Sequence, residues 1–170
     1  MGYNGEDLEL ASDFEPMEGE ANFGSTITRE VVGGSHIAPH CITLVGDRFV
    51  MVEFEEGLPR HDSSGPTIRF PHGLMLFGET FEACAERLVL LQMGGVVESV
   101  RVAHIYSQLD EANHWHLEPI LLVRIGGDLK LPNGVTRAVY FEGGDLPDGG
   151  VWRGKPPFTE TYSNYLKDLM

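Results

Sequence analysis

A single α/β domain, with a mixed sheet sandwiched between one central and one C-terminal helix, is the fold class this sequence predicts. Three observations carry it. Short apolar stretches of strand character recur between residues 42 and 142. One uninterrupted helical pattern, Glu79 to Met93, sits among them, and a second, after Pro156-Pro157, closes the chain. The 170 residues, 42% of them hydrophobic, supply apolar mass for one compact core.

Residues 1–25 crowd Glu6, Asp7, Glu9, Asp13, Glu15, Glu18 and Glu20 among glycines with few aliphatics. Such a stretch cannot bury much apolar area, so it is expected to be a flexible acidic arm or lid, with residues 26–170 as the domain. Strand-like patterning starts at Thr26. Ile42-Thr43-Leu44-Val45, Gly46-Asp47 and Arg48 to Phe54 read as a hairpin whose glycine suits the positive φ of a type II′ turn. A loop through Gly57 to Pro66 leads to a short strand, Thr67-Ile68-Arg69-Phe70, that Pro71 stops.

The central helix contains no proline or glycine and ends at Gly94-Gly95. Phe81, Cys84, Ala85, Leu88 and Val89 form its core-facing stripe, and Leu90, Leu91 and Met93 suggest cover on more than one side. Three further strands are expected. Val100, Val102 and His104 alternate with polar or small residues, Leu117 to Ile125 is nearly continuous, and Thr136 to Glu142 alternates around Val139 and Phe141. In the terminal helix, Phe158, Tyr162, Tyr165, Leu166 and Leu169 share one face.

Composition removes several functions. Asp and Glu total 26 against 12 Lys and Arg, a net charge of −14, and such a surface repels nucleic-acid phosphates. Only three of the cations are lysines (Lys130, Lys155, Lys167), a balance that also fits adaptation to high salt. No apolar run approaches the ~18 residues a membrane helix needs, and the first residues lack the pattern of a secretory signal. Cys41 and Cys84 form no close-spaced pair, as expected of reduced thiols in a cytoplasmic protein.

The run Pro71-His72-Gly73-Leu74-Met75-Leu76-Phe77-Gly78-Glu79, followed by a helix with Arg87 in its third turn, resembles the Nudix box. The family pattern is G-x5-E-x7-R-E-U-x-E-E-x-G-U, where U is a bulky aliphatic. Gly73, Glu79, Arg87 and Gly94 match its fixed positions, Val89 matches the first aliphatic, and Gly95 misses the second. The resemblance implies a Nudix-type α/β/α sandwich. It also makes Gly73, Arg87 and His72 the candidate binding residues, with Arg87 on the helix pairing with Glu79 to fix the loop against it.

The departures bear on chemistry. In active relatives three glutamates of the R-E-U-x-E-E segment hold magnesium or manganese against a substrate diphosphate. Their places here are taken by Leu88, Leu91 and Gln92. Magnesium takes oxygen ligands, and leucine offers none. Glu79 and Gln92 are the remaining catalytic or metal-binding candidates, with no metal expected; magnesium or manganese would be the cofactor if the site were active. Glu82 and Glu86 share a helix face rotated away from positions 88, 91 and 92, as a solvated pair would.

Three functions are compatible with this pattern. The first is a degenerate Nudix domain that binds a nucleotide-like small molecule or a partner. The second is an active hydrolase of a nucleoside diphosphate derivative such as ADP-ribose, using ligands outside the box. The third is a homodimerisation module built on the apolar former metal face. His114 and His116 around Trp115 could bind zinc with His72 facing the same cleft, or could be ordinary strand histidines; His36 and His40 have no metal-like context. No Gly-x-Ser-x-Gly or cysteine nucleophile motif is present.

Overall fold

The computed structural model describes residues 35–55, 68–76, 78–109, 115–142 and 147. Within them lie strands β1 (Ser35–Ile37), β2 (His40–Val45), β3 (Arg48–Phe54) and β4 (Ile68–Arg69), and helix α1 (Phe81–Met93). Strands β5 (Val96–Leu109), β6 (Trp115–Gly126) and β7 (Val135–Phe141) follow. The acidic arm of residues 1–25 and the C-terminal helix expected after Pro157 lie outside the described residues.

All seven strands form one mixed sheet. Strand β6 runs through its centre, parallel to β1 and β2 on one side and antiparallel to β5 on the other. Strand β3 is antiparallel to β2, β4 and β7. The central position of β6 explains its sequence. Leu121, Val123 and Ile125 enter one core cluster while Ile120 and Leu122 enter the other, so both faces are buried and the apolar run is nearly continuous. Helix α1 lies against the first face, where Cys84, Ala85, Leu88, Val89 and Met93 join Cys41, Val50, Val52, Phe54 and Leu121.

The ends of α1 are defined by local chemistry. The Thr80 hydroxyl accepts the Ala83 N–H at 3.2 Å, an N-cap that satisfies one of the donors left open in the first turn. Gly94 takes a left-handed conformation, φ 62°, and its N–H donates to Leu90 O. A Cβ there would lie 1.7 Å from Lys130 O, so both the backbone angle and the neighbour demand glycine. Gly95, which breaks the family's aliphatic position, is equally enclosed: a Cβ would meet Ile125, Leu129 and Val89 at 2.7–3.1 Å.

Several expectations are corrected. The helix begins at Phe81, so Glu79 precedes the N-cap instead of sitting in the first turn, where the acidic residue is Glu82. Leu90 is 61% exposed and Leu91 half-buried, so the extra apolar character does not mark a helix covered all round. Strand β5 is longer than its alternation suggested, because register shifts at Val97/Ser99 and Val102/His104 break the two-residue period. The three-residue strand β1 was not anticipated; it forms by pairing with a segment 80 residues away, His36 opposite His116.

Candidate functional site

From Pro71 to Met75 the chain runs alongside residues 37–41, at the start of β2. Cys41 N donates to Pro71 O at 2.8 Å, Gly73 N to Pro39 O at 3.3 Å, and Met75 N to Ile37 O at 2.8 Å. Gly73 faces α1. A Cβ at this position would sit 2.9 Å from Leu88 Cδ2 and 4.0 Å from Gln92 Nε2, so a side chain would have to displace Leu88. Leu88 and Gln92 are one turn apart and point to the same place. Both are buried, at 2% and 0% exposure.

Gln92 is joined to the loop through both of its polar atoms. His72 N donates to Oε1 at 3.0 Å, and Nε2 donates to His72 O at 2.7 Å. The side-chain amide thus pairs with a backbone amide as an adjacent strand would, and satisfies buried groups that would otherwise be costly.

The other end of the loop is held by charge. Arg87 Nε donates to Glu79 Oε1 and Arg87 Nη2 to Glu79 Oε2, both at 2.7 Å, a bidentate fork. Nη2 also donates to Leu74 O at 2.9 Å, and Glu79 Oε2 accepts the Leu76 N–H at 2.9 Å. Burial by itself raises the Glu79 carboxyl. The hydrogen bonds from Arg87 and Leu76, with the guanidinium charge, outweigh it and hold the carboxyl below its ordinary value. The pairing inferred from sequence is therefore present. Its acid is a loop anchor with its oxygens committed to protein donors.

Magnesium or manganese does not fit these residues. The helix face turned to Gly73 offers a leucine and an amide whose oxygen already accepts from His72, and hard cations need several oxygen ligands, usually anionic ones. Among the described residues no group of three His, Cys, Asp or Glu is arranged to hold a metal ion. The thiols offer no alternative nucleophile: burial and the nearby Glu79 charge push Cys84 up to about 12, and burial pushes Cys41 higher still.

The histidines separate onto the other side of the sheet. His40 and His72 form an antiparallel bridge, and their rings stack at 5.5 Å. His40 is the register partner of Ile120, which belongs to the core cluster opposite α1. The His72 ring therefore lies on the face of the sheet opposite α1, away from the Gly73–Leu88 contact, and its Nδ1 lies 3.1 Å from Phe70 O. His40 Nε2 lies 3.7 Å from Glu118 Oε2. Burial, and then the neighbouring His72, hold the His40 imidazole well below its ordinary value, so the pair is neutral at physiological pH on the His40 side. Sequence reading missed this group, because residues 40, 72 and 118 meet only through the His40–His72 bridge and the parallel pairing of β2 with β6. His114 lies outside the described residues; His116 is the second residue of β6 and the register partner of His36.

The architecture is similar to known structures. MutT as solved for Aliivibrio salmonicida and Vibrio cholerae superposes with a TM-score of 0.59 at 14% identity, covering 80% of this chain and 99% of that one. The MutT Nudix hydrolase of Burkholderia pseudomallei gives 0.55 at 16% identity, covering 80% and 98%. This chain has the Nudix fold. No protein-family model matches the chain, and no curated protein matches it by sequence. Leu88 and Gln92, two of the three positions where the resemblance would place metal-holding glutamates, lie nearest to Gly73. Among the described residues no helix is long and apolar enough to cross a membrane.

Proposed function

We propose that this Nudix-fold chain binds a nucleotide-like small molecule, or a partner presenting such a group, with little or no hydrolysis. One observation carries the reading. The helix face that meets the loop glycine is built from Leu88 packed on Gly73 and from Gln92 bonded to His72, so neutral contacts fill the place where carboxylates would have to gather a divalent ion. Metal-activated attack of water on a phosphorus needs that ion both to lower the pKa of water and to neutralise phosphate oxygens. The retained glycine loop and Glu79–Arg87 fork support a kept scaffold, and a scaffold without its chemistry is most readily used for binding.

Two other uses of the fold receive less support. Hydrolysis with ligands from outside the box would need a carboxylate cluster that the described residues do not form. Dimerisation through the former metal face would need that face exposed, and Leu88 is covered by the chain's own loop. Calorimetric titration with ADP-ribose, with and without magnesium, tests the proposal together with chromatography of the mixture for released AMP. Binding heat that is indifferent to magnesium, with no AMP formed, is the expected result. Turnover that a chelator abolishes would overturn it.

A further inference from the structure

His72 is gripped from two sides. Cys41 N donates to Pro71 O and Gly73 N to Pro39 O, so the His40–His72 bridge is flanked by ladder bonds and not joined by one. In an antiparallel pairing, facing side chains come closest in that arrangement, and the two imidazoles stack at 5.5 Å with 11° between their planes. The same geometry turns the N–H and C=O of His72 away from β2 and onto the Gln92 amide. The ring of His72 therefore rests on His40 while its backbone closes the loop onto α1.

A charge on His40 would stand in poor surroundings. The residue is 9% exposed and in register with Ile120, inside the apolar cluster opposite α1. The titratable side chains described around it are His72 on the loop, Glu118 on β6, and Tyr106 and His104 on β5, the last two in ring contact at 4.4 Å. By backbone register, His116 and His36 come next along β6 and β1. Glu118 Oε2 lies 3.7 Å from His40 Nε2, beyond hydrogen-bond length. Burial first, and the second imidazole after it, hold His40 neutral well below its ordinary 6.5. An imidazole so depressed takes a proton more readily once it is uncovered, so uncovering it becomes easier as pH falls below 6.5. We propose that His40 is a proton-operated catch: its protonation accompanies separation of the His40–His72 stack, release of residues 71–73 from β2, and parting of His72 from Gln92. This goes beyond the proposed function, because the opening is read without any ligand.

The experiment follows amide exchange of His72 and Gly73, whose N–H groups are bonded to Gln92 and Pro39, by NMR from pH 7.5 to pH 5.5 with intrinsic rates divided out. In wild type, protection at both should fall about tenfold over that range, one proton per opening, and stay below that of Leu121 and Val123 in β6. His40→Phe, which keeps a ring against His72, should show a level profile. Protection that is level or rises in wild type, as a proton drawing Glu118 onto His40 would give, overturns the proposal. So does the tenfold fall retained in His40→Phe. Loop protection equal to that of β6 would mean that only global unfolding frees the strip, and overturns it too. Should the phenylalanine variant not fold, the ring nitrogens of His40 in wild type decide. A ring still neutral at pH 5.5 in the closed state supports the proposal, and a ring that titrates near 6.5 refutes it.

Discussion

The two ends of the 72–79 loop are fastened to the same helix by opposite chemistry. At Glu79 the fastening is ionic, a bidentate fork from Arg87 that also reaches Leu74 O. At His72 and Gly73 it is neutral, an amide pair from Gln92 and the packing of Leu88. Arg87, Leu88 and Gln92 lie within six residues of α1, so the contrast does not come from different burial environments along the chain. It comes from where the balancing charge resides. Glu79 has its counter-charge in the protein, and a carboxylate survives there. At positions 88 and 92 the counter-charge would have to be imported, and neutral residues stand instead. An ionic anchor is retained where the chain itself completes it.

Removing the ionic fastening should produce the largest effect. Arg87→Ala leaves a largely covered carboxylate and the Leu74 carbonyl without their donor, and is expected to cost about 3 kcal/mol, or a fall of roughly 9 °C in thermal midpoint. An unchanged midpoint in calorimetry would mean that the fork does not hold the loop.

The neutral fastening should respond to shape. Gly73→Ala drives a methyl to 2.9 Å from Leu88 Cδ2, the far end of a flexible side chain, so a loss of about 1–2 kcal/mol is expected. In a Leu88→Ala background the same change should cost less, because the obstructing atom is gone. Denaturant unfolding of the four proteins gives the coupling, and strict additivity would show that residues 73 and 88 do not touch.

The two ends should also part company in acid. Glu79 has its folded-state value lowered from 4.5, so its contribution is whole above that pH and is lost as pH falls through the lowered value. The Gln92 amide does not titrate. Glu79→Gln should therefore flatten the acid limb of the stability curve below pH 4.5 in acid titrations followed by unfolding, and Gln92→Leu should leave its shape as in wild type.

The smallest expected effect concerns the background common to both ends. With net charge −14, screening of surface repulsion should raise the midpoint by a few degrees between dilute and molar potassium chloride. A midpoint that falls over that range would contradict the picture of a self-repelling surface.

The sequence by itself determined the elements whose signals are local. The Gly94 stop, the stripe of Cys84, Ala85, Leu88 and Val89, the hairpin at Gly46 and the doubly buried run of β6 all follow from spacing, backbone freedom and periodicity, and each appears where it was expected. The Glu79–Arg87 pair and the apolar character of positions 88 and 91 were legible through the resemblance. Tertiary structure alone decided how Gln92 is used and which way His72 points. A glutamine in a helix reads the same whether its amide meets solvent, a metal or a backbone, and only the approach of a loop 20 residues away gives it a donor and an acceptor to satisfy. His40 carried no signal for the same reason: its neighbours His72 and Glu118 arrive through a bridge and a parallel strand pairing that span 32 and 78 residues. Local rules fix which residues can form an element, but long-range pairing fixes what each buried polar group must bond, and that assignment sets the chemistry of the site.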